Sequence, residues 1–428
     1  MLAVGQTLSL AIEKPAVGGR MIARVDGQVV LVDGAIPGER VVARIERVGR
    51  GVAFAQTIEP ELASPDRRGS GADRLCGGCL YAHIAYERQL EIKAQVIRDA
   101  FVRIGRLPAP DVSAAAASPV RGYRMRARLH VRNHRVGFFR EGTHEVCDAR
   151  SSGQLLPETC DLVERLETAL RAAPGSASEI EIAENVDASE RVVHFGGASD
   201  LEGDRGWLEQ VLAAGGLTGL TVASQSPGIV RVLSGSAYVS DTLALPDCPP
   251  IRLRRHVLTF FQGNRFLLSD LVTHVTAQLP LNARLVDLYA GVGLFALAAS
   301  CARGAMVTAV EGDRVAAEDL AANAAAAGPS INPLHQAVEV FTRSAPSGGD
   351  VVVVDPPRTG MSSEALQGLV RLDGRRIVYV SCDVATLARD SRQIVDAGYA
   401  ITRVDAFDMF PNTPHVETVV VFDRARTS

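Results

Sequence analysis

The sequence has no run of about 18 consecutive apolar residues, the length that a membrane-spanning helix needs. Its opening segment, MLAVGQTLSLAIEKPAVGG, has no charged leader followed by an apolar stretch and a cleavage site. We therefore expect a soluble, cytoplasmic protein with no membrane partner. A formal net charge of -4 over 428 residues gives no general attraction to nucleic acid, so a nucleic-acid surface would have to be a local basic patch.

Cysteine is also scarce, with seven residues spread unevenly along the chain. An odd, scattered set of this kind does not indicate a disulfide framework, so thiols or metal ligands are expected instead. Cys76 and Cys79 form a C-x-x-C pair, which is compatible with a zinc half-site, a redox pair or part of an iron–sulfur site. Cys382 directly follows the strand-like run RRIVYVS and is either a nucleophile or an inert packing residue.

The length suggests roughly two to three domains. Residues 1–60 alternate short β-type runs with turn dipeptides such as Asp26-Gly27 and Pro37-Gly38, which predicts a small β-barrel of the oligonucleotide-binding type. Such a barrel could bind RNA or be merely structural. Residues 251–428 alternate strand and helix patterns, which predicts an α/β fold with a parallel, doubly wound, Rossmann-like sheet.

Between these segments, residues 70–250 are interpreted as a central α+β domain that contains the CGGC segment. A helix is predicted after CGGC, with Leu90, Ile97, Phe101 and Ile104 on its apolar face. Two antiparallel strands follow and carry the one dense basic segment of the chain. It could contact RNA phosphates and bases or could be a solvated strand face; its arginines are Arg121, Arg124, Arg126, Arg128, Arg132, Arg135 and Arg140.

A cofactor site is predicted where the doubly wound region begins. Asp287, Gly291 and Gly293 form D-x-x-x-G-x-G, and Glu311 ends the next strand, where an acid can hold both hydroxyls of a ribose. Phe295-Ala296 stands where the dinucleotide fingerprint has its third glycine, which favours S-adenosylmethionine over NAD.

The tetrapeptide DPPR begins at Asp355 and ends another predicted strand. Its two prolines fix the backbone as it leaves the sheet, so that the carboxylate can face a planar substrate; a plain turn is the alternative. Amino-group methyltransferases carry an aromatic residue after the prolines, whereas this chain has Arg358.

Five motifs, FFQGN, DLYAGVGLF, DPPR, IVYVSCDVATLARD and HVET, resemble in that order the RNA uracil-5-methyltransferases. The likeness extends to the ribosomal-RNA branch of that family, which has an N-terminal TRAM-type barrel and a CGGC segment. It implies a monomeric enzyme that uses S-adenosylmethionine to form 5-methyluridine, with 23S ribosomal RNA as the first expected substrate and tRNA as the second.

The resemblance also implies roles for particular residues. Cys382 would add to carbon 6 of uracil, because carbon 5 becomes nucleophilic only after such an addition. Glu417 would remove the proton from carbon 5 after methyl transfer. Asp355 is expected at the uracil edge, and the set that would hold the cofactor or the target base is Gln262, Tyr289, Gly291, Glu311 and Asp355.

In the ribosomal-RNA branch, four cysteines hold a 4Fe–4S cluster. This chain has Ser70 and Ser152 at two of the four positions, and it has Val384 where the family most often has proline. If Cys147 and Cys160 replace the missing ligands, four thiolates are available for a cluster, and a turn without metal is the alternative; the candidate ligands are Cys76, Cys79, Cys147 and Cys160.

Two functions of other classes remain open at this point. The chain could be a catalytically silent RNA-binding factor that keeps the fold, although Cys382 and Glu417 are both present. It could also be an amino-group methyltransferase, whose chemistry needs no cysteine.

Overall fold

The computed structural model describes residues 2–69, 71, 73–172, 177–197, 205–213, 215–224, 230–246 and 248–425. Within these residues the chain forms a six-stranded sheet, two seven-stranded sheets and a two-stranded hairpin. No helix in this part of the chain is long and apolar enough to cross a membrane.

The N-terminal sheet has the strand order β1-β5-β6-β4-β3-β2. Asp26 and Gly27 both have positive φ and connect β3 to β4 as a tight two-residue hairpin turn. Alternate residues of β3, β4 and β5 are buried, which gives the segment one core, and the all-β prediction is confirmed. The strands are β1 Thr7–Ala11, β2 Lys14–Pro15, β3 Met21–Val25, β4 Gln28–Asp33, β5 Arg40–Val48 and β6 Val52–Leu62.

The predicted helix after CGGC is α1, Tyr86–Arg103. Leu90, Ile97 and Phe101 are buried as expected. Ile104, however, is the residue after the last helical turn and is 43% exposed, so its assignment to the apolar face was wrong. Because the helix ends at Arg103, Ile104 lies just beyond it and does not continue its buried face.

The middle sheet has the order β13-β12-β11-β10-β7-β8-β9, and the separate hairpin pairs β14 with β15. Helix α2, Pro157–Ala172, packs on β8, and α3, Arg205–Ala213, packs on α2. The strands are β7 Arg126–Arg132, β8 Arg135–Phe139, β9 Val146–Asp148, β10 Glu179–Glu184, β11 Arg191–Gly196, β12 Gly219–Ala223, β13 Val230–Gly235, β14 Tyr238–Leu243 and β15 Ile251–His256.

The basic segment does form two antiparallel strands, β7 and β8, but its charge is largely neutralised within the fold. Four of the seven arginines have carboxylate partners: Arg126 pairs with Glu181, Arg128 with Glu179, Arg135 with Glu167, and Arg140 with Asp73 and Glu145. The segment is therefore a mixed-charge face rather than a free basic strip.

The C-terminal sheet has the order β18-β17-β16-β19-β20-β22-β21. Strands β16 to β20 run parallel, and β22 runs antiparallel to both of its neighbours, β20 and β21. The strands are β16 Arg284–Leu288, β17 Met306–Glu311, β18 Ile331–His335, β19 Val351–Val354, β20 Arg376–Ser381, β21 Tyr399–Phe407 and β22 Glu417–Arg424.

Helices cover both faces of this sheet. Val352 and Val354 pack in one core with α8 and α9, whereas Val351 and Val353 pack in another with α4 and α5. A strand that is buried on both faces reads as a continuous apolar run, which explains the VVVV of β19. The predicted doubly wound sheet is confirmed; its helices are α4 Leu268–Ala277, α5 Leu294–Arg303, α6 Arg314–Ala327, α7 Val338–Ser344, α8 Ser363–Arg371 and α9 Val384–Asp396.

Candidate active site

The predicted site residues lie at one edge of the C-terminal sheet. Tyr289, Asp355 and Cys382 directly follow β16, β19 and β20, and Glu311 is the last residue of β17. Because these strands are parallel and in register, their carboxyl ends meet at the same edge. The structure therefore brings these four side chains to one crevice.

Glu417 reaches the same edge from the opposite direction. It is the first residue of β22, and the antiparallel register pairs Ser381 with Thr418. Cys382 follows Ser381 and Glu417 precedes Thr418, so in the antiparallel register these two residues lie beside each other. The Glu417 side chain is buried, and its Oε1 has no hydrogen-bond partner among the described residues.

Cys382 lies between the end of a strand and the start of a helix. Asp383 caps α9, because its side chain accepts a hydrogen bond from the Thr386 N–H at 2.9 Å. The Ser381 hydroxyl donates to the Asp383 carbonyl at 3.1 Å and tightens the same turn. Val384, the departure from the family's proline, is the first helical residue, where proline is favoured but not required.

The electrostatic environment keeps the Cys382 thiol protonated in the free protein. Burial and the negative charge of Glu417 raise the pKa of Cys382 to about 12, against an opposing effect of Arg358. Burial also raises the pKa of Glu417 well above its usual range, and the nearby Asp355 raises it further. Asp355 itself has a raised pKa because of burial, which its hydrogen bond with Gln262 partly offsets.

Arg358 is a site residue to which the sequence analysis gave no role. Its side chain lies close enough to lower the pKa of both Cys382 and Glu417 through its positive charge. Its backbone is held to α9, because the Thr386 hydroxyl donates to the Arg358 carbonyl at 3.4 Å. The sequence signal was its position directly after the two prolines of DPPR.

The expected cofactor residues surround the turn between β16 and α5. The Gly291 N–H donates to Glu311 Oε2 at 2.7 Å, which ties the turn to the end of β17. Gly291 has φ of 56°, and no heavy atom of the described residues lies within 4 Å of the Cβ that another residue would add there. Tyr289 also has positive φ, at 60°, a conformation that is rare for residues with a large side chain.

Asp287, two residues before Tyr289, supplies a test of the cofactor. Its side chain is fully buried, and neither carboxylate oxygen makes a hydrogen bond of normal geometry within the described part of the chain. Burial, together with the charges of Asp355 and Glu311, raises its pKa well above the usual range. A ligand with positive charge and hydrogen-bond donors would satisfy this carboxylate, and the ammonium group of S-adenosylmethionine has both.

Gln262 connects this side of the crevice to the motif FFQGN. It is buried, and its Nε2 donates to Asp355 Oδ2 at 3.2 Å. The segment that carries it precedes α4 and is remote in sequence from DPPR. The structure thus brings Gln262 and Asp355 into contact, which neither motif shows by itself.

The predicted four-cysteine cluster site is not supported. Cys76 and Cys147 are joined as a disulfide, whereas Cys79 and Cys160 are buried free thiols. Burial raises the pKa of both free thiols to about 11, so neither is a ready thiolate. No group of three or more His, Cys, Asp or Glu residues that could hold a metal ion is found in the described ranges.

The two serines at the family's ligand positions supply no thiolate either. The Ser152 hydroxyl donates to the Ala149 carbonyl at 2.6 Å, which completes a local turn. Ser70 lies outside the described residues.

A doubly wound sheet with a reversed strand next to its edge, a glycine turn and an acid after the second strand defines an S-adenosylmethionine-dependent methyltransferase. Comparison with known proteins identifies the family. Residues 348–425 match the tRNA (uracil-5-)-methyltransferase family, and residues 2–58 match the TRAM domain.

Curated relatives match along nearly the whole chain. The 23S rRNA (uracil(1939)-C(5))-methyltransferase RlmD of Pseudomonas putida is 32% identical over 98% of this chain and 94% of its own length. The RlmD of Acidithiobacillus ferrooxidans is 34% identical over 95% of each chain. The crystal structure of Pyrococcus abyssi tRNA (uracil-54, C5)-methyltransferase has a TM-score of 0.75, 24% identity and coverage of 97% of this chain and 100% of its own.

The chain therefore belongs to the RNA uracil-5-methyltransferase family, with an N-terminal TRAM domain. It is an S-adenosylmethionine-dependent RNA methyltransferase. The Pyrococcus structure, at its lower identity, shows that the fold is shared.

The reactivity of Cys382 should depend on pH and on Arg358. Since the thiolate is the nucleophile and the pKa of Cys382 lies at about 12, alkylation by iodoacetamide should accelerate about tenfold per pH unit between about pH 6 and pH 9. Arg358→Met removes the charge that lowers this pKa and should slow alkylation about tenfold or more at each pH. Peptide mass spectrometry measures the rate.

Two internal controls make this measurement specific. Cys301 is exposed, and at any one pH its alkylation rate should be the same in wild type and in Arg358→Met. Arg392→Met removes an exposed arginine of α9 that pairs with Asp396 and should leave Cys382 unaffected. Equal alkylation rates in wild type and Arg358→Met would show that Arg358 does not stabilise the thiolate.

Proposed function

We propose that this enzyme forms 5-methyluridine in 23S ribosomal RNA, with Cys382 as nucleophile and Glu417 as base. The observation that carries the proposal is the antiparallel register of β20 and β22, which places a thiol and a buried carboxylate side by side at the sheet edge. The choice of 23S ribosomal RNA is supported by the RlmD relatives, which match almost end to end.

The reaction begins with loss of the Cys382 proton to solvent. The Arg358 guanidinium stabilises the thiolate, which forms a bond to carbon 6 of the uracil and pushes the electrons of the 5,6 double bond toward carbon 5 and oxygen 4. Asp355 has a raised pKa and can remain protonated at neutral pH, so it can donate a hydrogen bond to the developing oxygen anion.

S-adenosylmethionine supplies the methyl group that carbon 5 receives. The Glu417 carboxylate then takes the proton from carbon 5, the 5,6 double bond forms again, and the bond between carbon 6 and the Cys382 sulfur breaks. Because the pKa of Glu417 is raised, its carboxyl group must lose its own proton to solvent before this step. Once ionised it is a stronger base than an ordinary carboxylate, and its Oε1, which has no hydrogen-bond partner among the described residues, can accept the proton from carbon 5. The thiolate is released and the cycle closes.

The cofactor is assigned to the β16, β17 and α5 side of the crevice. We assign Glu311 to the ribose hydroxyls, Gly291 and Tyr289 to the turn that passes beside the ligand, and Asp287 to its cationic end. Gln262 holds Asp355 at the boundary between the cofactor and the target base.

The remaining assignments follow the sequence expectations. We propose a TRAM barrel at 1–60 that binds RNA, a central α+β domain at 70–250 and a methyltransferase domain at 251–428. The enzyme would act in the cytoplasm as a monomer, and sedimentation of the purified chain tests the oligomeric state.

RNA that contains 5-fluorouridine should trap the enzyme. Fluorine at carbon 5 cannot leave as a proton, so wild-type protein with S-adenosylmethionine should form a covalent RNA adduct that survives a denaturing gel. Cys382→Ala should form none. Glu417→Gln should form an adduct even on ordinary uridine RNA, because the step that releases Cys382 needs the carboxylate.

The three proteins discriminate between the functions that the sequence left open. An adduct with wild type that is lost in Cys382→Ala establishes the nucleophile and RNA as substrate together. Full methyl transfer by Cys382→Ala would instead indicate amino-group chemistry. Absence of any adduct or transfer from wild type with bound cofactor would favour a silent RNA-binding factor.

The choice of RNA is tested with 23S ribosomal RNA and tRNA transcripts that lack modifications. We expect 5-methyluridine, measured by mass spectrometry of nuclease digests, in the ribosomal transcript and not in tRNA. The tRNA family match and the tRNA methyltransferase structure make tRNA the second candidate. Methylation of tRNA alone would reverse the assignment.

A further inference from the structure

Residues 408–416 connect β21 to β22 and lead directly into Glu417; we call them the active-site strap. The strap contains turns and bends but no helix or strand. Its backbone groups therefore have no regular ladder and must find other partners when they are buried. These partners, together with the pairing of Glu417 with Phe407 of β21, hold the chain where it enters β22.

Four consecutive carbonyls of the strap are held by four different parts of the chain. The donors come from the FFQGN segment, from α1, from the segment before β7 and from the CGGC segment. They are Asn264 Nδ2 to the Met409 carbonyl at 3.2 Å, Lys93 Nζ to Phe410 at 3.1 Å, the Tyr123 hydroxyl to Pro411 at 3.4 Å, and the Tyr81 N–H to Asn412 at 2.8 Å.

Lys93 makes a second contact with the strap. Its ammonium pairs with Asp408, the first strap residue, and both side chains have no exposed surface. Burial lowers the pKa of Lys93, and the negative charge of Asp408 opposes this shift. One side chain of α1 thus holds a carboxylate and a carbonyl two residues apart.

Gln89 holds the strap from the same face of α1. Its Nε2 donates to Asn412 Oδ1 at 3.0 Å, and its Oε1 accepts from the Asn412 N–H at 3.0 Å. Gln89 and Lys93 are four residues apart, so they lie one above the other on the helix. Helix α1 therefore grips the strap at both its beginning and its middle.

Stability alone is a weak explanation for the buried pair of Lys93 and Asp408. Replacing a buried ion pair by apolar residues of similar volume is often neutral or stabilising, because both charges lose their hydration. An apolar pair, however, could not hold the Phe410 carbonyl or fix where the strap starts.

We propose that Lys93 is a positioning residue that sets the Glu417 carboxylate for proton removal from carbon 5. This inference rests on the proposed function of Glu417. Cys382 is held independently, by β20 and the cap of α9. Loss of Lys93 should therefore impair the release step and leave formation of the bond between the Cys382 sulfur and carbon 6 largely intact.

The test compares the two steps in the full-length protein. Lys93→Met should lower the turnover number on uridine RNA about 10- to 100-fold, since small misplacements of a reacting group cost factors of this size. The rate of adduct formation on 5-fluorouridine RNA should stay within about twofold of wild type. The covalent complex with ordinary uridine RNA should accumulate on a denaturing gel.

Two further variants separate positioning from folding. Lys93→Met/Asp408→Leu removes both buried charges, so it should restore the unfolding temperature that Lys93→Met lowers but not the turnover number. Arg67→Met is the matched control, because Arg67 likewise pairs with a buried carboxylate, Glu39, and donates to a carbonyl, that of Gly34, without touching the strap. It should lower stability without accumulation of the covalent complex.

The outcomes distinguish the positioning role of Lys93 from the proposed function of the site. If Lys93→Met slows both steps equally, or if the double variant regains turnover together with stability, Lys93 has only a structural role. Unchanged turnover in Lys93→Met would also overturn the proposal. If wild type itself forms no adduct with 5-fluorouridine RNA, the proposed function of the site fails before Lys93 is in question.

Discussion

The antiparallel pairing of β22 with β20 is the constraint on which the active site depends. Parallel strands deliver only their carboxyl ends to the crevice, and these supply Asp355 and Cys382. A carboxylate at the start of a strand reaches the same edge only if that strand runs the other way. The reversal of β22 does this and places Glu417 beside the thiol.

The same crevice concentrates negative charge in a poorly hydrated place. Asp287, Asp355 and Glu417 each have a pKa raised chiefly by burial, and the charge of Asp355 makes ionisation of both Asp287 and Glu417 harder. Arg358 is the cation that opposes this effect at Cys382 and Glu417. Such a cluster of buried carboxyl groups suits a cationic cofactor and a substrate whose reaction needs both a proton donor and a base.

The N-terminal half of the chain contributes to the same site from a distance. Lys93 and Gln89 of α1 hold residues more than 300 positions away in the sequence, in the segment that leads to Glu417. The TRAM sheet packs close by, since a Cβ at Gly19 would lie 2.9 Å from the ring of Pro414 in the strap. Helix α1 and the TRAM sheet thus also pack against the segment that carries the chain to the active site.

Sequence by itself determined what depends on local pattern and local chemistry. Alternation of strand and helix predicted the doubly wound sheet, and motifs that each lie within a few residues identified Cys382, Glu311 and Asp355 as end-of-strand groups. What only the tertiary structure decided were relations between distant segments: the direction of β22, the contact of Gln262 with Asp355, the action of Arg358 on Cys382 and the burial of Lys93 with Asp408. The carboxylate partners of the arginines in the basic segment and the disulfide between Cys76 and Cys147 were likewise not evident from the linear pattern. The charge and ligand capacity of a side chain depend on its neighbours in space, and burial and pairing are absent from a linear pattern.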